Sequence, residues 1–197
     1  CFVIACIVQA LDAMQRSILL LYRNLVPENV YLTSSGYAVL MDFRYARRDD
    51  GSSRTLCGSP HYLAPEVVRG AVQTSAIDWW SLGVLAHEMV CGESPMGAID
   101  ADELALYKRI LSFSPEHLAL PEEVSPAMGE LLADLLEPEP EKRLGAEGGE
   151  WVMKRSWFKD INWDHVAAAD SISPLADSLR AQLEGGAPPS PLDEAAY

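Results

Sequence analysis

The sequence predicts a mainly α-helical fold carrying short β-hairpins. Three observations predict it: a stretch at 75–90 that is apolar nearly all round, a second apolar stretch at the N-terminal end, and two brief strand-like runs flanking a turn. The chain has 197 residues, 49% of them hydrophobic, which suits one ordinary domain or a large piece of a bigger one. Disorder throughout is excluded.

Phe2, Ile4, Ala5, Val8, Leu11, Met14 and Leu19 recur at three- and four-residue steps, predicting a helix buried on most of its surface up to about Arg16. Short strands follow at 30–32 and 38–41, separated by Thr33-Ser34-Ser35-Gly36, a hairpin-like turn. Residues 44–65 are polar and rich in Gly, Ser and Arg, and read as a long surface loop of the kind that is usually functional or disordered. In 75–90 the apolar set is Ile77, Trp80, Leu82, Val84, Leu85, Met89 and Val90, with Ser75 offered as N-cap, so this helix belongs at the centre of a domain. Amphipathic helices are expected at 100–111, 125–136 and about 150–154. From Ala167 the Gly, Pro, Ser and acidic content suggests a tail ordered only where it docks.

Lys and Arg number 15 against 29 Asp and Glu, a net charge of −14, and the excess lies mostly beyond residue 120. Such a chain is a poor match for nucleic acid or anionic lipid, whose binding needs cationic contacts to phosphate, and a better one for basic peptides and proteins. Cys1, Cys6, Cys57 and Cys91 form no C-x-x-C pair and have no His at metal-ligand spacing, which points to buried thiols in a reducing, cytoplasmic compartment. The apolar start, CFVIACIV, is interrupted by Gln9, Asp12, Gln15 and Arg16 too soon to span a bilayer, and no basic n-region marks a signal peptide. The natural start is expected upstream of Cys1.

Five motifs occur in series. Tyr22-Arg23-Asn24-Leu25-Val26-Pro27-Glu28-Asn29 precedes the first strand and Asp42-Phe43-Arg44 follows the second. Then come Gly58-Ser59-Pro60-His61-Tyr62-Leu63-Ala64-Pro65-Glu66, Asp78-Trp79-Trp80-Ser81-Leu82-Gly83 and Glu141-Lys142-Arg143-Leu144-Gly145. Their order and spacing resemble the C-terminal lobe of a eukaryotic serine/threonine protein kinase. The wording Thr55-Leu56-Cys57-Gly58-Ser59-Pro60 and Trp157-Phe158-Lys159-Asp160-Ile161-Asn162-Trp163 is most similar to the cyclic-nucleotide-dependent (AGC) group. The resemblance covers about 1–166, with 167–197 as the corresponding tail. The family's N-terminal lobe, with its glycine-rich loop and strand Lys, is absent from this sequence.

The resemblance implies roles residue by residue. Asp42 and Asn29 stand where the family holds Mg²⁺, and oxygen donors suit that hard cation. Tyr31 stands under the adenine of ATP, where a phenol either crowds the base or stacks on it, and Glu28 and Asn29 adjoin the nucleotide. Asn24 replaces the Asp that accepts the substrate proton, a loss of roughly 10²–10⁴-fold in rate. Val26 replaces a Lys that meets the transferring phosphoryl group, worth typically about 10²–10³-fold. Arg44 replaces the D-F-G glycine, restricting the turn and setting a cation beside Asp42.

Other matches are structural or regulatory. Glu66 and Arg143 match the pair that ties the activation segment, which includes Ser59, to the lower helices. Asp78 matches the anchor of the catalytic loop, and Tyr22 and Phe43 part of a hydrophobic spine. Thr55 matches the activation-loop phosphorylation site and Arg23 the arginine that binds its phosphate, with Arg44, Arg47, Arg48 and Arg54 adding positive charge, although an exposed polar loop with solvated arginines fits the same residues. Glu28 and Glu88 fall where basophilic members meet substrate arginines, while His61 replaces a third carboxylate of that set.

The leading reading is therefore a pseudokinase that binds a basic or Arg-containing protein, as substrate-like or pseudosubstrate partner, and possible regulatory subunits, with ATP and Mg²⁺ only if nucleotide is bound at all. A working kinase whose other lobe lies outside this sequence is the alternative, and a remnant without function the third.

Overall fold

The computed structural model describes residues 1–97, 102–169, 173, 175 and 176. The expected N-terminal helix forms as α1 (Phe2–Ile18), and Leu19 ends it in the left-handed region with its N–H on the Met14 carbonyl. Ile4, Ala5, Ile7, Val8 and Leu11 are buried, as the mixed three- and four-residue spacing requires. Asp12 is buried on the same helix because its carboxylate accepts the Gly149 N–H and pairs with Arg16.

Two small sheets follow. Strands β1 (Leu20–Leu21) and β4 (Arg47–Arg48) pair antiparallel, with Leu20 opposite Arg48. Strands β2 (Val30–Leu32) and β3 (Ala38–Leu40) form the expected hairpin, in the register Val30 to Leu40 and Tyr31 to Val39. Ala38 and Leu40 point inward while Val39 is exposed, so Tyr31 shares the outward face with Val39. The turn closes through Gly36 at φ +80, donating its N–H to Thr33.

Segment 44–65, expected as a long surface loop, carries β4, the end of a helical turn at Phe43–Tyr45 and another turn at Pro60–Tyr62, and Ser53 within it is buried. Helix α2 (Pro65–Val68) leads to α3 (Ala76–Cys91), the central element. Trp79, Leu82, Leu85 and Ala86 of α3 enter one core with α1, whereas Ile77, Trp80 and Val84 enter a second with Met96, Leu106 and Ile110. A helix apolar all round is thereby buried on both sides. Ser75 does not cap it: the residue is already in helical conformation and its side chain accepts no cap hydrogen bond.

Helices α4 (Glu103–Leu111), α5 (Pro126–Leu135) and α6 (Gly149–Met153) match the expected amphipathic segments, and α7 (Trp163–Ala168) is an addition. Asp102 and Ser125 cap α4 and α5 through their side-chain oxygens; the expected start of α4 at 100 lies outside the described residues. Gly83 lets α3 and α5 approach, since a Cβ there would lie 2.9 Å from Leu136. Of the expected tail, Ser173 and Ala176 are buried, Ser173 donating its N–H to the Ser35 carbonyl; 177–197 lie outside the described residues. The cysteines are all free, but the expectation of buried thiols holds only for Cys6: Cys1 is exposed and Cys57 and Cys91 are intermediate. Among the described residues no helix is long and apolar enough to cross a membrane.

Candidate functional site

The loop 22–29 lies between β1 and β2 and is fixed from below by α3. The Tyr22 and Arg23 N–H groups donate to the two carboxylate oxygens of Asp78 at 2.8 and 2.7 Å. This double contact holds Arg23 at φ +61, a conformation that side chains rarely adopt. Burial pushes the Asp78 carboxyl up to about 6, against the downward pull of those N–H donors and of the Arg23 charge.

A chain of hydrogen bonds then gathers the sequence-predicted residues. Asn29 donates its side-chain N–H to the Asn24 carbonyl at 2.9 Å, and Asn24 donates its own to the Asp42 carbonyl at 3.1 Å. The Asn29 carbonyl accepts from Met41 at 2.9 Å, closing the group between loop and hairpin. Tyr22 donates its hydroxyl to the Met41 carbonyl and stacks edge-on against Phe43, ring centres 5.2 Å apart. Asn24, Asn29 and Asp42 thus come together, whereas Val26 is buried at 8% exposure and takes no part in these hydrogen bonds. A cavity of about 20 Å³, room for one water, opens nearby between Asn24, Val26, Gly58, Ser59 and Tyr62.

Asp42 sits at φ +54, and its Oδ1 accepts the Arg44 backbone N–H at 3.3 Å and the Arg44 Nε at 2.7 Å. The guanidinium hydrogen bond is the main force holding the Asp42 carboxyl below its ordinary value. Asp42 and Asn29 carry the oxygen donors a hydrated Mg²⁺ takes, but the Arg44 guanidinium sits on Asp42 Oδ1, so a cation there would compete with it for that oxygen. Among the described residues no three His, Cys, Asp or Glu side chains cluster as a metal site.

Glu88 accepts a short hydrogen bond from the Tyr62 hydroxyl. The Glu28 charge also reaches this phenol, which burial and both carboxylates drive well above its usual value. Glu88 thus touches Tyr62 while Glu28 acts on it only through its charge, and the sequence motif containing Tyr62 had given it no role. Glu66 and Arg143 meet as expected, at 2.6 and 3.0 Å, with side chains 5% and 0% exposed. The Arg143 guanidinium also bonds the Ala76 carbonyl and lies over the Trp80 ring.

Arg23 and Thr55 are not joined. The Arg23 guanidinium bonds the Tyr45 carbonyl at 2.7 Å, Ser53 Oγ at 2.9 Å and Gln73 Oε1 at 3.2 Å. Thr55 and Ser59 are exposed, and the Thr55 carbonyl accepts from Gln73 Nε2 at 2.8 Å. Ser53 and Gln73 escaped the sequence reading because a polar residue in a polar stretch carries no mark of burial.

Residues 1–158 match the family model described as the protein kinase domain. The chain is 34% identical to the serine/threonine-protein kinase YPK2/YKR2 of Saccharomyces cerevisiae, over 93% of this chain and 27% of that protein. It is 40% identical to protein kinase 2 of Dictyostelium discoideum, over 81% of this chain and 33% of that protein. A third relative is the cAMP-dependent protein kinase catalytic subunit 2 of Drosophila melanogaster, 33% identical over 81% of this chain and 45% of that protein. The chain thus spans less than half the length of each of these relatives.

Proposed function

The chain belongs to the protein kinase domain family, most like its AGC serine/threonine kinases, and from that membership we propose that it acts as a pseudokinase, through protein binding rather than phosphoryl transfer. The single observation that carries this reading is the ion pair of Arg44 with Asp42 at 2.7 Å. The one carboxylate at the expected metal position is engaged by a side chain of the same turn. Asn24 deepens the effect: it donates to the Asp42 carbonyl, and a carboxamide lacks the basicity to take a hydroxyl proton. Val26 supplies no charge for a transferring phosphoryl group.

The partner is a basic, Arg-containing protein segment. Glu88, which accepts from Tyr62, and the exposed Glu28, whose charge reaches the same phenol, support this reading, because carboxylates pair with guanidinium in bidentate geometry. The four free cysteines support a reducing, cytoplasmic setting.

The test is phosphorylation of an Arg-rich peptide with ATP and Mg²⁺, alongside a thermal-shift titration. Transfer is expected to be undetectable, and ATP with Mg²⁺ to shift the melting temperature no more than ATP with EDTA. Turnover that vanishes on Asn29→Ala or Asp42→Ala overturns the proposal.

A further inference from the structure

Gln73 is buried at 1% exposure, just before α3, and every hydrogen bond of its side chain is made to Arg23 or to the segment 44–65. Its Oε1 accepts from the Ser53 hydroxyl at 2.9 Å and from Arg23 Nη1 at 3.2 Å, while Nε2 donates to the Thr55 carbonyl at 2.8 Å. Its backbone N–H adds a fourth bond, to the Ser53 carbonyl at 2.9 Å. Ser53, also 1% exposed, receives Arg23 Nη1 on the same oxygen with which it donates to Gln73.

Nε and Nη1 of Arg23 are thereby engaged without an anion in direct contact. Three of its hydrogen bonds end on Tyr45, Ser53 and Gln73, all uncharged acceptors, and its charge is felt by the buried Asp78 carboxylate beneath it. A phosphate that took Nη1 in their place would strip one charge-assisted hydrogen bond from each of two buried side chains, Ser53 and Gln73, which carries a cost. Thr55 meanwhile is fixed by its backbone carbonyl and remains exposed.

We infer that the Arg23–Ser53–Gln73 cluster is a phosphate-independent lock, which holds the segment around Ser53–Arg54–Thr55 docked whether or not Thr55 is phosphorylated. Gln73 takes the place of an anion at Thr55, bridging Arg23 to the segment through neutral hydrogen bonds. The Asp50 carboxylate holds the preceding turn independently, accepting from the Ser52 N–H and hydroxyl, so the lock governs only the residues from Ser53 onward. The inference does not depend on whether the chain transfers phosphate.

Site-resolved hydrogen exchange on the whole chain tests it, comparing the backbone N–H of residue 73, which closes onto the Ser53 carbonyl, with those of α3. Gln73→Ala should speed exchange at residue 73 by roughly 10-fold or more, beyond the intrinsic difference between the two residues, while α3 stays protected, because local opening follows the bonds that close the segment. Phosphothreonine incorporated at 55 should leave both within about twofold of the unmodified chain. Should Gln73→Ala not fold, Ser53→Ala removes one hydroxyl and keeps every backbone bond, and must itself speed exchange at Gln73. Unchanged exchange in the folded Gln73→Ala chain, or in Ser53→Ala where that variant serves, overturns the lock, as does a phosphothreonine chain whose Gln73 N–H slows by roughly 10-fold.

Discussion

Arg44 Nε lies 2.7 Å from Asp42 Oδ1, two residues away on the same turn. The pair is solvent-screened, with the Arg44 side chain 68% exposed, so its consequence is occupancy of the carboxylate more than stability. Arg44→Gly should let the Asp42 carboxyl rise toward its ordinary 3.8, because its largest lowering influence is removed. Carboxyl ¹³C titration reads this directly. With the depressed value, whatever stability Asp42 lends is present at neutral pH and lost as pH falls through it. Added Mg²⁺ should move the Asp42 signal in the glycine variant and leave it unmoved in the parent, and an equal response in both would contradict the blocking role.

Asp78 has the opposite sign. Its folded value of about 6 lies above the ordinary 3.8, so the folded state binds this proton more tightly than the unfolded one. The linked stability is fully present below 3.8 and lost as pH rises through 6, on the order of 3 kcal/mol at most. Asp78→Asn removes the titration and also presents an NH₂ to one of the two N–H groups it should accept. The advantage of the parent over this variant in urea unfolding should therefore shrink between pH 4 and 7. A gap that does not vary with pH would refute the assignment.

The buried Glu66–Arg143 pair tells against single substitution. With side chains 5% and 0% exposed, Glu66→Ala strands a guanidinium that still bonds the Ala76 and Glu137 carbonyls, and should cost about 3–5 kcal/mol. The double variant Glu66→Leu with Arg143→Met should recover a good part of that loss, since neither charge is then left alone. Denaturant midpoints for the parent, Glu66→Leu, Arg143→Met and the double variant decide it. Additive losses would mean that the two residues are not coupled through their charges.

Gly145 sits at φ +93 against Trp79, where a Cβ would fall 2.5 Å from the indole. Gly145→Ala therefore meets both backbone strain and overpacking, each typically about 1–3 kcal/mol. The fully buried Trp79 should report the loss as a lowered midpoint and a red-shifted emission. An unchanged midpoint would mean the core yields there without cost.

What was legible in the chain was what local periodicity encodes. The all-round apolar run gave α3 its central place between two cores, and Thr33 to Gly36 gave the hairpin its turn. Pairing of β1 with β4 was not legible, because each strand is two residues long, no alternation marks it, and Arg47 and Arg48 look like solvated charges. The site divides the same way. Asp42 and Arg44 are near in sequence and opposite in charge, so their pairing could be read, whereas Ser53 and Gln73 meet across twenty positions with neutral side chains. Ser75 failed as a cap because identity at a helix start does not fix conformation: at φ −53, ψ −23 it is already helical.

Restoring the acid at Asn24 tests how far the site has been rebuilt around a carboxamide. Asn24 is 7% exposed and its amide donates to the Asp42 carbonyl at 3.1 Å. In Asn24→Asp a carboxylate oxygen faces that carbonyl, so a buried acceptor loses its donor and meets a like partial charge, at a cost of about 1–3 kcal/mol. The variant should melt lower than the parent at neutral pH. It should regain part of the difference on acidification, because the introduced carboxyl, once protonated, can donate again where the amide did. Phosphoryl transfer should stay undetectable in Asn24→Asp alone and in Asn24→Asp with Val26→Lys, since Arg44 still occupies Asp42. Addition of Arg44→Gly is the step at which metal-dependent transfer could first emerge. Transfer already present in the double variant would show that the Arg44–Asp42 pair yields to Mg²⁺, and would move the block onto Asn24 and Val26 alone.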